Sequence, residues 1–165
     1  MKGKGIRDMI KTNVMRILEK EKVAFESYEY PHGKDAVDGV TVAKLLSQDP
    51  NTVFKTLVTT DGKKDYFVFV IPVEKELDLK KAAKIAGVKS VEMIPVKDIQ
   101  KITGYVRGGC SPLGMKKNYK TIFHESASDC AMISVSAGKI GYQVRLEPMI
   151  LADLSGAKFA DVCKA

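Results

Sequence analysis

Lys55 is the side chain of this sequence with the clearest potential for chemistry. It lies in the segment V-F-K-T-L, where apolar residues fall on both faces of a predicted strand. An ammonium group in such surroundings is costly unless it reaches an anion or a water-filled cavity. The alternative is a lysine on an edge strand that points to solvent and discourages aggregation. The neighbouring Thr56 could offer its hydroxyl to a ligand, although threonine is also common in strands for its propensity alone.

A glycine-rich segment at residues 104–114, G-Y-V-R-G-G-C-S-P-L-G, is the second candidate. Four of its eleven residues are glycine. Glycine lets the backbone approach a ligand closely and lets N–H groups point into a cavity. We therefore expect Gly108 and Gly109 to line a small-molecule pocket, with Lys55 opposite them. A tight turn that needs glycine only for its dihedral angles is the alternative.

Three other side chains have a polar group at a position where a site could form. Cys110 invites a nucleophile interpretation, but a reactive thiolate needs a base or a cation beside it, and only Arg107 is close in the sequence. Ser136 could place a hydroxyl at a cavity mouth or serve a turn. Tyr30 ends a predicted strand, where it could stack on a base or a ribose, or simply lie at the rim.

The length and composition predict one domain over residues 1–165, with a mobile basic arm at residues 1–7. The formal net charge of +7, from 27 basic and 20 acidic residues, fits a polyanionic partner and also an ordinary basic enzyme. No apolar run approaches the roughly 20 residues of a membrane helix. No apolar region of a secretory signal follows the basic start. We expect a cytoplasmic protein that does not bind membranes.

The histidines and cysteines argue against a metal site and a disulfide framework. Three cysteines form no CxxC pair, and their odd number fits a reducing cytoplasm. His32 and His124 are far apart in the sequence, which gives zinc few ligands. The common nucleotide and zinc motifs are also missing from the sequence. We therefore predict neither a metal nor a cofactor.

Hydrophobic periodicity predicts five short helices and about seven strands. The helices are predicted at residues 8–20, 41–46, 79–86, 95–103 and 148–155. The strands are predicted at residues 23–30, 52–60, 66–71, 88–94, 121–123, 131–135 and 140–146, with residues 159–162 as a further strand or a docked tail. Because βαβ alternation is missing, the pattern favours an α+β fold, with a mixed or largely antiparallel curved sheet flanked by helices.

Capping and turn-forming residues predict where several of these elements begin or end. Asp78 is expected to cap helix 79–86, whose buried stripe begins at Leu79, and Gly87 to end it. Thr41 is expected to open the helix at 41–46. Asp61-Gly62 predicts the turn of a hairpin between the strands at 52–60 and 66–71.

Four segments of the chain together resemble the YbaK/ProX family. They are F-K-T-L at residues 54–57, D-L-K-K-A-A-K at 78–84, the glycine-rich segment at 104–114, and S-A-G-K at 136–139. The resemblance spans about residues 8–162. Members of this family are free-standing relatives of the editing domain inserted in bacterial prolyl-tRNA synthetases. The resemblance implies a single editing-type domain with a mixed, barrel-like sheet.

The resemblance also implies an activity. Such proteins deacylate mischarged tRNA in trans, and this chain is similar to those that clear cysteine from tRNA(Pro), with Cys-tRNA(Cys) open as a second substrate. By the same analogy Lys55 is the essential lysine of the site, and the amides of Gly108 and Gly109 hold the scissile carbonyl. The remaining pocket positions that the resemblance implies are Tyr30, Thr56 and Ser136.

The family mechanism that the resemblance implies is substrate-assisted. The cysteinyl thiol attacks its own ester carbonyl, so the protein supplies orientation and charge stabilisation rather than a nucleophile. Two positions depart from the family pattern: Ile140, where relatives often have a basic residue, and Gln143, where some have a carboxylate. Because of the second departure, the sequence does not decide which residue forms the polar side of the pocket.

Other partners and functions stay open from the sequence. Lysines beside the two site segments could follow a phosphate backbone or be ordinary surface residues; they are Lys116, Lys117, Lys120 and Lys139. A transient complex with prolyl-tRNA synthetase is a further hypothesis. The alternatives to a Cys-tRNA(Pro) deacylase are a deacylase for Ala-tRNA(Pro), a non-catalytic tRNA- or synthetase-binding module, and a hydrolase with Cys110 as nucleophile.

Overall fold

Five short α-helices and eight strands make up the fold over residues 10–165, the part of the chain that this computed structural model describes. The helices are α1 (Asn13–Lys20), α2 (Gly39–Leu45), α3 (Leu79–Ala86), α4 (Ile99–Thr103) and α5 (Pro148–Ser155). The strands are β1 (Glu26–Glu29), β2 (Phe54–Thr60), β3 (Tyr66–Pro72), β4 (Glu92–Met93), β5 (Lys120–His124), β6 (Ile133–Ser136), β7 (Tyr142–Leu146) and β8 (Lys158–Ala160). Short 3-10 turns lie at Pro50–Thr52, Val96–Asp98 and Glu125–Asp129.

The strands form two sheets. The larger sheet has the order β4-β2-β3-β5-β8, in which β4, β2 and β3 pair antiparallel while β3, β5 and β8 pair parallel. The smaller sheet has the antiparallel order β1-β7-β6. A single parallel bridge between Val53 and Ser134 joins them. The α+β class and the mixed pairing predicted from the sequence are confirmed, but these described strands form two sheets that meet at a corner rather than a closed barrel.

The hairpin of β2 and β3 is the centre of the larger sheet, as the sequence predicts. Its turn is fixed by Asp61, whose carboxylate accepts a hydrogen bond from the Lys63 N–H at 2.9 Å, and by Gly62, whose φ is 81°. The register then pairs Lys55 with Ile71 and Thr56 with Val70.

β3 is buried on both faces and separates two apolar cores. Val68 and Val70 face the core between the two sheets, whereas Phe69 and Ile71 face the core beneath α3. All four side chains are fully buried. Burial of a side chain of this size stabilises the fold by roughly 1.5–3 kcal/mol, so β3 holds the hairpin in place and with it the position of β2.

Three helices begin at residues other than those predicted. The helix predicted from residue 95 is a 3-10 turn over Val96–Asp98 followed by α4 from Ile99. The Thr12 hydroxyl accepts a hydrogen bond from the Met15 N–H at 3.2 Å, so α1 begins at Asn13 instead of residue 8. Ile10 lies before this helix and is exposed. The basic arm predicted at residues 1–7 lies outside the described residues. In α2 the cap is Asp38, whose carboxylate accepts from the N–H and the hydroxyl of Thr41, because a carboxylate one turn earlier outcompetes the threonine.

The ends of α3 are confirmed, and its stripe is shorter than expected. Asp78 accepts hydrogen bonds from the Lys80 and Lys81 N–H groups, and Gly87 ends the helix with a φ of 79°. Leu79 is nevertheless exposed, because the buried face is made by alanines from the second turn onward. The strand predicted at 88–94 is reduced to β4, and Val96 of the following turn is exposed.

The later elements follow the sequence signals closely. The turn at residues 136–141 precedes β7, α5 begins at Pro148, and the tail forms β8 beside β5. None of the helices within residues 10–165 has the length and apolar character that a bilayer crossing requires.

Candidate functional site

One edge of β2 is open over its first half. Within residues 10–165, this edge is paired with β4 at residues 59–60 and touches β6 through the bridge at Val53. The Val58 carbonyl accepts a hydrogen bond from the Ile94 N–H at 3.2 Å. Because main-chain groups alternate in direction along a strand, those of Thr56 point to the same edge. The strand therefore presents backbone donors and acceptors to the space beside it.

A cavity of about 1170 Å³ occupies that space. Its walls are residues 34–40, β2, residues 93–99, the glycine-rich segment and the adjoining ends of β6 and β7. Five of the six site residues expected from the sequence line this one cavity: Tyr30, Lys55, Thr56, Gly108 and Ser136. Residues that are up to 106 positions apart are thus brought together by the corner between the two sheets.

Lys55 reaches the cavity from the face of β2 that it shares with Ile71. The side chain is only partly exposed. Among the described residues, no hydrogen bond or ion pair holds its ammonium group. A lysine that only protects a sheet edge would point to open solvent, so the partial burial and the cavity favour the ligand-binding interpretation.

Thr56 reaches the cavity from the opposite face of the strand. Its hydroxyl oxygen is buried and has no hydrogen-bond partner within the described part of the chain. A buried hydroxyl without a partner costs roughly 1–3 kcal/mol. A hydroxyl of this kind in the cavity that Lys55 also lines is a candidate contact for a polar ligand.

Gly108 lies where the glycine-rich segment meets the loop before α2. Its φ is 85°, and a Cβ atom added there would lie 2.5 Å from the Cβ of Ala36 and 3.5 Å from Ile140. Both the dihedral angle and the close approach therefore require glycine. Ile140, the residue that replaces a basic side chain of the family pattern, also lines the cavity beside it.

Gly109 does not supply the second cavity donor that the sequence suggested. Its N–H donates to the Val106 carbonyl at 2.9 Å, which closes a turn. The residue is buried against the turn at residues 139–140, where an added Cβ would lie 3.3 Å from the Lys139 Cα. Gly109 thus packs two loops together, which is the tight-turn alternative, while Gly108 alone of the pair lines the cavity.

The glycine-rich segment is anchored at its base. The Tyr105 hydroxyl donates to the Leu113 carbonyl at 2.7 Å, and the Asn13 amide donates to the Tyr105 oxygen at 3.3 Å. Gly104 ends α4 with a φ of 87°. The segment is therefore closed on itself and tied to α1, so the position of Gly108 relative to β2 is fixed.

Cys110 lines the cavity but has no basic partner. Its sulfur lies 3.8 Å from the Thr103 hydroxyl and 3.9 Å from the Val106 carbonyl oxygen. Burial raises the pKa of the thiol, and the contact with Thr103 offsets only part of this effect. The group stays a thiol near neutral pH, which disfavours the cysteine-nucleophile alternative.

Ser136 and Tyr30 complete the polar contacts. The Ser136 hydroxyl oxygen accepts a hydrogen bond from the Gly138 N–H at 3.1 Å, so it forms the turn and keeps its own hydrogen free to donate. Tyr30 is almost fully buried. Burial raises the pKa of its hydroxyl, so the phenol remains a hydrogen-bond donor at neutral pH.

A pair of amides forms the wall behind these residues. Gln143 is buried, lines the cavity and accepts a hydrogen bond at Oε1 from Gln48 Nε2, at 2.9 Å. The Gln48 Oε1 atom is itself buried without a partner in the described chain. Gln143 was recognisable from the sequence as a departure from a carboxylate. Gln48 was not, because it lies 95 positions away.

The positive charge at the cavity comes from residues other than the lysine cluster considered from the sequence. None of that cluster is among the cavity-lining residues: Lys116, Lys117, Lys120 and Lys139. Lys116 and Lys120 each donate to a main-chain carbonyl instead, at 3.0 and 3.3 Å. The lining cations are Lys34, Lys55 and Arg107. Over residues 10–165, no three His, Cys, Asp or Glu side chains are grouped so that they could bind a metal ion.

Comparisons with known proteins agree with this geometry. The family model for the aminoacyl-tRNA editing domain matches residues 34–154. EbsC of Enterococcus faecalis (strain ATCC 700802 / V583), assigned as a Cys-tRNA(Pro)/Cys-tRNA(Cys) deacylase, is 45% identical over 152 residues, which cover 92% of this chain and 93% of EbsC.

Solved structures show the same fold at low sequence identity. The hypothetical protein APE2540 is similar with a TM-score of 0.81 and 22% identity, over 92% of this chain and 99% of that one. A protein assigned as a trans-editing enzyme for prolyl-tRNA synthetase is similar with a TM-score of 0.79 and 21% identity, over 92% of this chain and 97% of that one.

Proposed function

Because the chain belongs to the aminoacyl-tRNA editing domain family, we propose that it is a trans-acting deacylase that removes cysteine from mischarged tRNA(Pro), with Cys-tRNA(Cys) as a second substrate. Lys55 carries this proposal: among residues 10–165 its ammonium has no hydrogen-bond or ion-pair partner, and the cavity that it lines also holds the Thr56 hydroxyl, which has none in that part of the chain either. The assignment of the enterococcal relative supports the choice of cysteine. Residues 1–165 act as one editing-type domain in this proposal.

The aminoacyl ester lies between β2 and the glycine-rich segment. The Gly108 N–H is the donor for the ester carbonyl, since no main-chain hydrogen bond within residues 10–165 uses it. Lys55 contacts the ribose or the phosphate of the acceptor end and offsets the negative charge that develops during cleavage. Thr56, Ser136 and the Tyr30 hydroxyl supply the remaining hydrogen bonds to the bound aminoacyl group.

The reaction takes its nucleophile from the substrate. The cysteinyl sulfur attacks the ester carbonyl carbon, a sulfur–carbon bond forms, and the bond from that carbon to the ribose oxygen breaks. The proton of the thiol ends on the ribose oxygen, and water then opens the cyclic thioester to free cysteine. Holding the thiol and the carbonyl in one conformation lowers the barrier by several kcal/mol. Such a scheme suits a cavity with a cation and donors but without a basic partner for Cys110.

Selectivity follows from the same chemistry. An alanyl or prolyl ester has no thiol to attack the carbonyl, so it survives even where the cavity admits it. Gln143, which is hydrogen-bonded to Gln48, places a neutral amide on the cavity wall, and of the two carboxylates that line the cavity, Asp35 and Asp38, the second is hydrogen-bonded to Thr41 at the start of α2. The amino acid is thus selected by the reactivity of its thiol and not by its size alone.

The proposed setting is the cytoplasm, where aminoacyl-tRNA is used. The lining cations Lys34, Lys55 and Arg107 can contact phosphates at the acceptor end, yet three cations read no tRNA identity. A transient complex with prolyl-tRNA synthetase would supply that identity. Titrating the purified synthetase into the deacylation reaction is expected to enhance the rate on Cys-tRNA(Pro), and an unchanged rate at every ratio would refute the complex.

Replacement of Lys55 tests the proposal directly. Lys55→Ala is expected to lower kcat/KM for Cys-tRNA(Pro) on the order of 10²–10³-fold, the range seen when one charge-stabilising group of an active site is removed. Lys63→Ala, at an exposed turn of the same hairpin, is the matched control and is expected to keep full activity. Thermal unfolding should be similar for both variants. Undiminished deacylation by Lys55→Ala would refute the role of this residue. A wild type that deacylates no substrate, together with unchanged tRNA binding by Lys55→Ala, would favour a non-catalytic binding module.

A further inference from the structure

Two carboxylates line the cavity, and only one of them is engaged within the described part of the chain. They belong to Asp35 and Asp38. Asp38 accepts hydrogen bonds from the N–H and the hydroxyl of Thr41, at 3.2 and 2.6 Å, and thereby caps α2. Asp35 lies in the loop before that helix, is exposed, and has neither a hydrogen bond nor an ion pair with another of residues 10–165. Its charge is therefore available to a ligand in the cavity.

We propose that Asp35 binds the α-ammonium group of the aminoacyl ester and so restricts the enzyme to esters of free α-amino acids. This inference rests on the proposed function and adds to it a residue that determines the substrate class. α-Amino groups titrate close to neutral pH, with an unperturbed pKa of about 7.7–8.0, and a neighbouring carboxylate favours their charged form. A hydrogen bond between an ammonium and a carboxylate is among the stronger ones that a protein forms.

The loops place Asp35 beside the proposed donor for the ester carbonyl. A Cβ atom added to Gly108 would lie 2.5 Å from the Cβ and 3.0 Å from the Cα of Ala36, so the two backbone segments are in contact there. Asp35 is the residue before Ala36. In the substrate, the α-nitrogen is two bonds from the carbonyl carbon. An ester whose carbonyl is held at the Gly108 N–H therefore brings its amino group to the loop that carries Asp35.

The other polar groups of the cavity suit an ammonium group poorly. The Gln143 Oε1 atom already accepts a hydrogen bond from Gln48 Nε2, and the Ser136 hydroxyl oxygen accepts one from the Gly138 N–H. Three cations also line the cavity and repel a further positive charge. They are Lys34, Lys55 and Arg107. A negative charge at Asp35 offsets this repulsion at the side of the cavity where the amino group lies.

This contact adds a second criterion to the selection by the thiol. A cysteinyl ester whose nitrogen is acylated, as at the end of a peptidyl-tRNA, keeps its thiol but has no ammonium group. The thiol alone does not distinguish that ester from cysteinyl-tRNA. Recognition of the ammonium group by Asp35 excludes it, so the enzyme spares chains that are being synthesised.

Removal of the amino group from the substrate tests the proposal. The probes are two minihelices of tRNA(Pro), one esterified with cysteine and one with 3-mercaptopropionate, which has the same thiol but no amino group. The wild type is expected to have a kcat/KM at least about tenfold higher for the cysteinyl ester, the effect of one hydrogen bond between charged groups. Asp35→Asn is expected to lose that difference and to keep its rate on the mercaptopropionyl ester. Asp153→Asn, at an exposed position of α5, is the matched control and should behave as the wild type.

Equal rates of the wild type on the two esters would overturn the proposal, and so would an Asp35→Asn variant that keeps the full difference. A variant that is slowed equally on both esters would also overturn it, because Asp35 would then act on the reaction itself and not on the amino group. Binding provides a readout that does not depend on catalysis, with minihelices that carry the two acyl groups through a non-hydrolysable amide.

The binding measurement also separates this proposal from the proposed function. If the wild type deacylated neither ester, the proposed function would fail. The role of Asp35 would then stand only if the wild type bound the cysteinyl amide at least about tenfold more tightly than the mercaptopropionyl amide and Asp35→Asn bound the two alike. Any other binding result would refute it as well.

Discussion

At the scale of single residues, the site is centred on two polar groups that have no hydrogen-bond partner among residues 10–165. Lys55 and the hydroxyl of Thr56 lie on opposite faces of one strand, and both reach the same cavity. The buried hydroxyl of Thr56, which has no hydrogen-bond partner among residues 10–165, stabilises the folded protein less than an apolar group of the same shape would. Polar groups that reduce stability in this way are expected where a ligand supplies the missing partner.

Replacement of Thr56 by valine separates the effect of its hydroxyl on stability from its effect on catalysis. Thr56→Val keeps the shape of the side chain and removes only the unpartnered hydroxyl, so we expect the free energy of unfolding to stay the same or to rise by up to about 1 kcal/mol. The loss of one hydrogen bond to the substrate should lower kcat/KM roughly tenfold, equivalent to about 1.4 kcal/mol. Denaturant unfolding and deacylation kinetics provide the two values. Lower stability with unchanged kinetics would mean that the hydroxyl has a structural role instead.

Cys163 predicts a pH dependence of stability that is independent of the site. Burial raises the pKa of this thiol to about 11, above its ordinary value of 9.0. Because the folded state holds the proton more tightly, the stabilisation is complete below pH 9 and is lost as the pH rises towards 11. We expect the free energy of unfolding of the wild type to fall more steeply between pH 9 and pH 11 than that of Cys163→Ala. Parallel curves for the two proteins would contradict the shifted pKa.

At the scale of elements, the site lies beside the part of β2 whose edge has no neighbouring strand among the described residues. The strand is held by β3 along its whole length, by β4 at residues 59–60 and by β6 through the bridge at Val53. The open edge between the last two contacts becomes one wall of the cavity. The glycine-rich segment forms the facing wall because its base is tied to α1 through Tyr105.

Gly108 tests whether this segment must approach its neighbour closely. Gly108→Ala would adopt a φ of 85° and meet Ala36 at 2.5 Å, so we expect a loss of about 1–2 kcal/mol in stability and a clear loss of deacylation. Gly87→Ala is the matched control, because its φ is 79° but no atom lies within 4 Å of the added Cβ. It should lose less stability than Gly108→Ala, because it has the strained dihedral angle without the steric clash, and it should keep its activity. Equal kinetics in the two variants would show that the approach of the loops is unimportant.

The elements that the sequence predicted well are those with strong local signals. The apolar alternation of β2 and β3, the turn at Asp61-Gly62 and the two caps of α3 depend on residues close together in the chain. Lys55 was recognisable for the same reason. The roles of Gly109 and Gln48 depend on contacts with residues that are distant in sequence, the turn at 139–140 and Gln143. Local patterns carry no information about such contacts, so the turn-forming role of Gly109 stayed one of two alternatives and Gln48 was missed.

At the scale of the whole molecule, the two sheets meet at one bridge and enclose the cavity beside it. The formal net charge of +7 favours approach of a polyanion, while the lining cations are few. A high overall positive charge with few cations at the cavity suits an enzyme that is attracted to tRNA in general and recognises the end of the acceptor. In the proposed mechanism, the amino acid is then distinguished by its own thiol within the cavity.

Deacylation of a matched pair of substrates, Cys-tRNA(Pro) and Ala-tRNA(Pro), by the pure protein tests this account most directly. The two esters differ only in the thiol. Rapid loss of the cysteinyl ester with an alanyl ester that persists is the predicted result, because only the first carries its own nucleophile. Loss of both esters at similar rates would contradict the account. It would require water as the nucleophile and a general base in the protein, and Asp35 and Asp38, the carboxylates that line the cavity, would be the first candidates for that base.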